Sequence, residues 1–225
     1  MSTIQITQSD LQASLPDTIS DIQTDHIRNE ISITRDIHGI PHVTGLNSYD
    51  AFFGQGFATA QDRLWHMEFD RRKAFGRWAE LVGKAGLESD ITMRKFQIEN
   101  SVLKDLPNMN AETTSMLEAY SAGVNAFINS TATLPVEYKL TGTKPEKWED
   151  WHCILVYKVR NTAEGSFQAK LWLAKLAVEI GPERTAAISP GSQPNALLTV
   201  PPGAEYSGAA TDAIEELTNV VNATE

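Results

Sequence analysis

Residues 49–75 read YDAFFGQGFATAQDRLWHMEFDRRKAF. The stretch is rich in Ala, Phe, Gln, Leu, Met and Arg, and no proline interrupts it, so it reads as helix. Ser48 is placed as its N-cap, with Asp50 in the first turn. Leu64, Met67, Arg71 and Phe75 recur at helical spacing, and Arg63 and Asp70 lie about two turns apart. Gly54 and Gly56 weaken the first half, which predicts either two segments or a close contact with another helix. Phe75-Gly76 ends the run, and Val82-Gly83 ends the next short one. This stretch sets the fold class: a mainly α chain.

Working outward, Ile31-Ser-Ile-Thr-Arg-Asp36 alternates as a strand, and Ile40-Pro-His-Val-Thr44 returns beside it. His38-Gly39 makes the turn, with Gly39 at positive φ, and Pro41 belongs on an edge. Residues 1–28 are polar, with a weak helical pattern from Ser9 to Leu15. Downstream, a helix is predicted from about Asp90 to Lys104, ended by Leu106-Pro107. Asn110 caps another, whose apolar stripe runs through Met116, Leu117, Tyr120, Val124, Phe127 and Ile128. Leu134–Asp150 carries breakers at Pro135, Gly142 and Pro145 and reads as an ordered loop anchored by Trp148 and Trp151. A long helical run from Asp150 to Ile180 follows, broken near Gly165 and closed by Gly181-Pro182. Residues 189–208 form a Pro-rich connector, and 209–222 have the pattern of one amphipathic helix. The chain thus divides into an acidic lead-in (1–30), a body (31–188), and a connector with an acidic tail (189–225).

The 225 residues carry a net charge of −10. Residues 1–30 hold five acids and one base, residues 204–225 five acids and no base, and the body between is nearly neutral. This balance argues against a nucleic-acid binder, which needs clustered Lys and Arg. No run approaches the ~18 apolar residues of a membrane span. Residues 1–15 lack a basic region and an apolar core, so no secretory signal is read there; that predicts a cytoplasmic protein, or a periplasmic one if Met1 replaces a removed signal. The single cysteine, Cys153, rules out an internal disulfide and a multi-cysteine zinc site. His38 and His42 are four apart, but across a turn, and read as hairpin packing. No phosphate-binding glycine loop, dinucleotide fingerprint or G-x-S-x-G elbow occurs. Cys153 reads as a small core residue. The residues by themselves make up no complete active site. Five Trp and eight Phe are a large apolar load for such a chain, part of which a partner would cover.

Five stretches carry a resemblance. Arg35-Asp-Ile-His-Gly-Ile-Pro-His42 resembles R-D-x-x-G-I-P-H. Gly56-Phe-Ala-Thr-Ala-Gln-Asp-Arg-Leu-Trp-His-Met67 resembles G-[FY]-x-x-A-Q-D-R-L-[FW]-x-M. Arg71-Arg72-Lys73-Ala74-Phe75-Gly76-Arg77 matches R-R-x-A-x-G-R, and Ala119-Tyr120-Ser121-Ala122-Gly123-Val124-Asn125-Ala126 matches A-Y-x-x-G-V-N-A. Pro135-Val136-Glu137-Tyr138, Gly142 and Pro145-Glu146-Lys147-Trp148 match P-x-E-[YF]…G…P-E-x-W. In this order, over about 31–182, they resemble the α subunit of the penicillin/cephalosporin acylases, the penicillin amidase family of N-terminal-nucleophile hydrolases. The run Lys170-Leu171-Trp172 and the missing signal are closest to the signal-less cephalosporin acylase branch.

The resemblance implies a precursor that cleaves itself into a smaller α and a larger β chain, interlocked in an αββα core. The first residue of β, a Ser, is nucleophile, and its α-amine, with a reference pKa of about 7.7–8.0, is the base. No catalytic residue is then expected in the present chain, and its end at Glu225 fits an α terminus or a trimmed linker. What α supplies in the family is one wall of the acyl pocket. Aligning Trp148 and Gly181 places that wall at Tyr157–Phe167, with Asn161, Glu164 and Gly165 at lining positions and Tyr157 and Arg160 beside them. Asn161, Glu164 and Gly165 depart from the aromatic or aliphatic lining of penicillin-type members, and Arg160 and Glu164 are polar and one helical turn apart. They read either as an i,i+4 ion pair or as a contact to a carboxylated acyl group of glutaryl, succinyl or aminoadipyl type. Many members bind Ca²⁺ through a Glu of α. Lys170 stands at the matching position here, so neither that ion nor any other cofactor is expected. Asp62 and Arg63 are expected in buried pairs holding α to β, and Arg71, Arg72 and Arg77 in ion pairs with Asp70 and Glu80. Trp65, Trp78 and Trp148 are expected as core or interchain anchors. The expected partners are a β subunit from the same precursor and a small-molecule amide, with no nucleic acid and no membrane. The rival readings are a long-chain acyl-homoserine lactone acylase α chain and a non-enzymatic helical binding module.

Overall fold

The computed structural model describes residues 4–24, 27–164 and 167–188. The predicted connector and tail, 189–225, lie outside the described residues. The chain falls into two units, Met1–Asn161 and Thr162–Glu225.

In the first unit, helix α1 (Gln8–Ala13) starts on a capping box in which Thr7 and Asp10 bond each other's backbone N–H. Its Asp10 pairs with Lys139, which ties the lead-in to the body. Strands β1 (Ser32–Arg35) and β2 (Pro41–Thr44) form a two-stranded antiparallel hairpin with Arg35 opposite Pro41. Gly39 has φ 76° in the turn, as predicted.

Helix α2 (Ser48–Phe75) is the spine. Its N-cap is Asn47, one residue earlier than predicted, because the Asn47 side chain accepts the Asp50 N–H at 3.0 Å. Asp50 is fully buried and accepts bonds from the Asn29 and Asn47 side chains at 2.8 and 2.7 Å, which hold its carboxyl below the usual range. The helix kinks at Arg63 (φ −138°, ψ 19°), not at the glycines. The glycines serve the other predicted purpose, the close contact. Helix α6 (Ala111–Ser130), capped by Asn110 as expected, crosses α2 backbone to backbone. A methyl group on Gly56 would stand 2.0 Å from the Tyr120 carbonyl oxygen, and one on Gly123 would stand 2.0 Å from that of Phe53. Phe53, Phe57, Leu64, Val124 and Phe127 fill the core around this crossing.

Between these two helices lie α3 (Ala79–Val82), α4 (Leu87–Phe96) and α5 (Ile98–Asp105). The single helix predicted over 90–104 is two, because Gln97 adopts φ 49°. Helix α7 (Val136–Thr141) occupies part of the predicted loop and ends on Gly142 at φ 65°. Trp148 is buried, as expected; the Asn125 side chain holds it by accepting its N–H at 2.8 Å and donating to its carbonyl at 2.7 Å. Helix α8 (His152–Glu164) begins in the first unit.

The second unit holds α9 (Phe167–Ile180) and α10 (Pro182–Ile188). Ala174 and Ala177 are buried, and Gly181 separates the two helices at φ 85°. Among the described residues, no helix is long and apolar enough to cross a membrane.

Candidate functional site

Helix α8 starts under its own control: His152 Nδ1 accepts the Glu149 N–H at 3.0 Å, satisfying a donor that the first turn leaves free. Leu155 and Val159, four apart, are buried against Ala74, Met93, Ile98 and Val102. That packing turns Tyr157 and Asn161 outward. Tyr157 is exposed, and the Asn161 amide bonds back to the Tyr157 carbonyl at 2.8 Å.

Arg160 reaches across to α2. Its Nε donates to Asp70 Oδ2 at 2.8 Å, its Nη2 lies 2.7 Å from the same oxygen, and Nη2 also bonds His66 Nε2. The His66 nitrogen lies 3.6 Å from Asp70 Oδ2, one turn back on the same helix. An Arg donates only, so in this contact His66 Nε2 is the acceptor. The Asp70 side chain is 8% exposed and that of Arg160 is 43% exposed. A carboxylate this buried needs a counter-ion, which explains why the guanidinium is committed to Asp70. Arg160 thus pairs across ninety residues of chain. Nothing is described of the Glu164 side chain, and Gly165 lies outside the described residues. Lys170 is exposed on α9 of the second unit.

Asp70 also lines a groove of about 250 Å³ between α2, α6 and α8. Its other walls include Phe52, Met67, Tyr120, Trp148 and Val156. Cys153 lies there too, with Sγ 3.5 Å from the Trp148 indole nitrogen; burial pushes its thiol pKa up, as a core residue requires.

Of the predicted partners of the other arginines, Glu80 holds for Arg72 and Arg77, and Glu68 and Glu146 join them. Glu68 is the buried hub, bonded to Arg71 and, at 2.5 Å, to Arg72. Arg72 also meets Glu80 at 2.6 Å, and Arg77 meets Glu80 and Glu146 at 2.8 and 3.0 Å. Asp70, the predicted partner of these arginines, belongs to Arg160 instead. Arg35 forks onto Asp62 at 2.7 and 3.1 Å and bonds Gln61 at 2.6 Å, so Asp62 fastens the hairpin to α2 within this chain; Arg63 is exposed. His42 bonds Asp36 at 3.2 Å within the hairpin. Sequence reasoning missed the pair His66 and Asp70 as a site. Their signal was present: a histidine and a carboxylate four apart on one helix face.

A family model described as penicillin amidase matches residues 30–204. The chain belongs to the penicillin amidase family. It is 40% identical over 195 residues to the penicillin acylase 2 proenzyme of Pseudomonas sp. (strain SE83), covering 87% of this chain and 25% of that protein. It is 31% identical over 134 residues to penicillin G acylase of Escherichia coli, covering 57% and 16%. Against the acyl-homoserine lactone acylase QuiP of Pseudomonas aeruginosa the identity is 30% over 179 residues, covering 79% and 21%. A solved structure of thermostable penicillin G acylase from Alcaligenes faecalis superposes with a TM-score of 0.60 at 25% identity, covering 76% of this chain and 97% of that one. The chain thus spans about a quarter or less of these curated relatives, but nearly the whole of one solved acylase chain. In this chain Gly56 and Gly123 form the α2–α6 crossing, and Arg71 and Arg72 of the R-R-x-A-x-G-R stretch bond Glu68.

Proposed function

We propose that this chain is the α subunit of a heterodimeric acylase that hydrolyses a linear amide through the N-terminal Ser of a separate β chain cut from the same precursor. The observation that carries the reading is the contrast in coverage: 97% of a solved penicillin G acylase chain against 25% of a relative named a proenzyme. A short chain matched nearly end to end, and a long precursor matched over a quarter, fit one processed subunit. In this reading the acyl group passes to the β-chain Ser and water then releases it. The present chain holds no catalytic residue, binds no Ca²⁺ at Lys170, and contributes wall residues Tyr157, Arg160 and Asn161 on α8, with Glu164 and Gly165 the next wall positions in the sequence.

The acyl group is of carboxylated type, glutaryl, succinyl or aminoadipyl. Arg160 supports this: its guanidinium is 43% exposed on the wall helix, although Nε and Nη2 are held by Asp70 and His66. The second reading, an acyl-homoserine lactone acylase, is favoured by the similarity to proteins of that name and by the apolar lining of the groove beside Asp70. The test is to express the complete precursor, purify the product under mild conditions, and resolve it by denaturing gel and mass spectrometry. A second, larger chain that begins with Ser, with hydrolysis of glutaryl or succinyl anilides over phenylacetyl and long-chain ones, is expected. A monodisperse single chain that turns over none of them overturns the reading.

A further inference from the structure

We infer that Asp70 is a specificity-determining residue of the acyl wall, because it fixes the Arg160 guanidinium in place and cancels most of the charge Arg160 would present. The inference rests on the reading of Arg160 as an acyl contact. Three observations carry it. Both Arg160 nitrogens lie within 2.8 Å of one Asp70 oxygen, which sets the plane and position of the fork. The carboxylate is buried while the guanidinium is not, so the pair shows its positive side outward. Asp70 itself lines the groove beside the pair, so it links the groove to the Arg160 guanidinium it neutralises. His66 adds a second hold on Nη2.

Such a pair tolerates a neutral polar acyl end and binds a carboxylate only moderately, since the attraction of Arg160 is opposed by Asp70 at nearly the same distance. Asp70→Asn keeps an oxygen for Arg160 Nε and removes the opposing charge. Asp70→Ala removes both.

The test uses the complete two-chain enzyme and compares glutaryl with pentanoyl p-nitroanilide, which share a chain length and differ in the terminal carboxylate. Asp70→Asn is expected to raise the glutaryl-to-pentanoyl ratio of kcat/KM about fivefold, with the change in the glutaryl KM. Asp70→Ala is expected to lower the same ratio, because the fork is no longer held. A merely structural Asp70 would shift both substrates in parallel in both variants, which overturns the inference. Where neither variant folds, His66→Ala, at a half-exposed position, releases Nη2 and is expected to raise the glutaryl KM about threefold relative to pentanoyl; an unchanged ratio overturns the inference. Arg160→Ala separates the two levels. If it leaves the ratio as in the wild type, Arg160 does not meet the acyl group and the reading of a carboxylated acyl group fails. If it lowers the ratio while Asp70→Asn does not move it, the functional reading stands and Asp70 alone is misassigned.

Discussion

The two halves of α2 are held by opposite physics. Before the kink at Arg63 the helix lies on α6 through glycines, with carbonyl groups where side chains would otherwise stand. After the kink it buries Glu68, Asp70, Arg71 and Arg72, each side chain 8% exposed or less. The first half is stabilised by contact and by apolar burial, with Phe57 edge-on to Phe127 at 5.5 Å. The second adds to its buried Leu64 and Met67 a closed set of charges, in which a buried ion without its partner costs several kcal/mol. The halves therefore differ in what they tolerate: the first admits no added volume, and the second admits no lost partner. The second carries Asp70 and His66, which hold Arg160 of α8.

The largest effect should come from the first half. Gly56→Ala or Gly123→Ala puts a methyl group against a backbone carbonyl, and no flexible side chain is there to yield. Each is expected to destabilise by about 4 kcal/mol or more, read as a shift of the urea midpoint, and often as failure to fold. If both fold with losses below about 1 kcal/mol, the crossing is looser than described and the contrast between the halves disappears.

In the second half, Glu68→Gln keeps the size of the hub and removes its charge. Arg71 and Arg72 then lose the buried partner, while Glu146 and Glu80 remain at the edge of the set. A loss of about 3 kcal/mol in the same measurement is expected. Equal stability of Glu68→Gln and the wild type would mean that this half, like the first, is held by packing.

His152 tests the ionic half through pH. Its ring lies among Trp148, Trp151 and Phe75, and burial, with Arg71 nearby, pushes its pKa from the usual 6.5 down to about 4. The unfolded chain takes up a proton near pH 6.5 that the folded chain refuses until about pH 4. The contribution of His152 is therefore complete above about pH 6.5, declines as pH falls toward 4, and is level below that. Protonation would also cost Nδ1 its bond from the Glu149 N–H. His152→Asn, whose oxygen can accept that bond, is expected to flatten the profile, with a difference from the wild type that changes by about 2 kcal/mol between pH 7 and 4. Parallel profiles for the two proteins would show that the ring is not shielded from protons.

How much of this was legible in the sequence differs between the halves in the same way. The hairpin, the caps at Asn110 and Gly76 and the stripe of α6 follow local rules, and sequence reading finds them. Gly54 and Gly56 announced a close contact, though nothing local could name Gly123 as the other side. The charged half resisted. Arg71 and Arg72 read naturally as partners of neighbouring Asp70 and Glu80, yet Glu146 enters from beyond α6, and Asp70 is claimed by Arg160 of α8. Ion pairs between distant segments leave no periodicity. The break at Gln97 was equally hidden, since a non-glycine residue at positive φ has no composition signal. Of the candidate wall, the helical run was legible, while the bond from Arg160 to Asp70, ninety residues away, was not.

The joint between the halves offers the smallest effect and the sharpest check on that division. Arg35 reaches from β1 to Gln61 and Asp62, immediately before the kink. Its fork on Asp62 has the bidentate geometry of a strong pair, but the two side chains are 20% and 31% exposed. Water and salt therefore screen it, and it belongs with surface pairs worth less than about 1 kcal/mol. Arg35→Ala is expected to cost about that and to lose most of the difference in 1 M salt, because the Debye length then shrinks to about 3 Å. Glu68→Gln, inside the helix packing, should keep its penalty at the same salt concentration. If Arg35→Ala instead costs as much as Glu68→Gln and is indifferent to salt, the hairpin clamp belongs to the buried ionic half, and the boundary between the two kinds of packing moves upstream of Arg63.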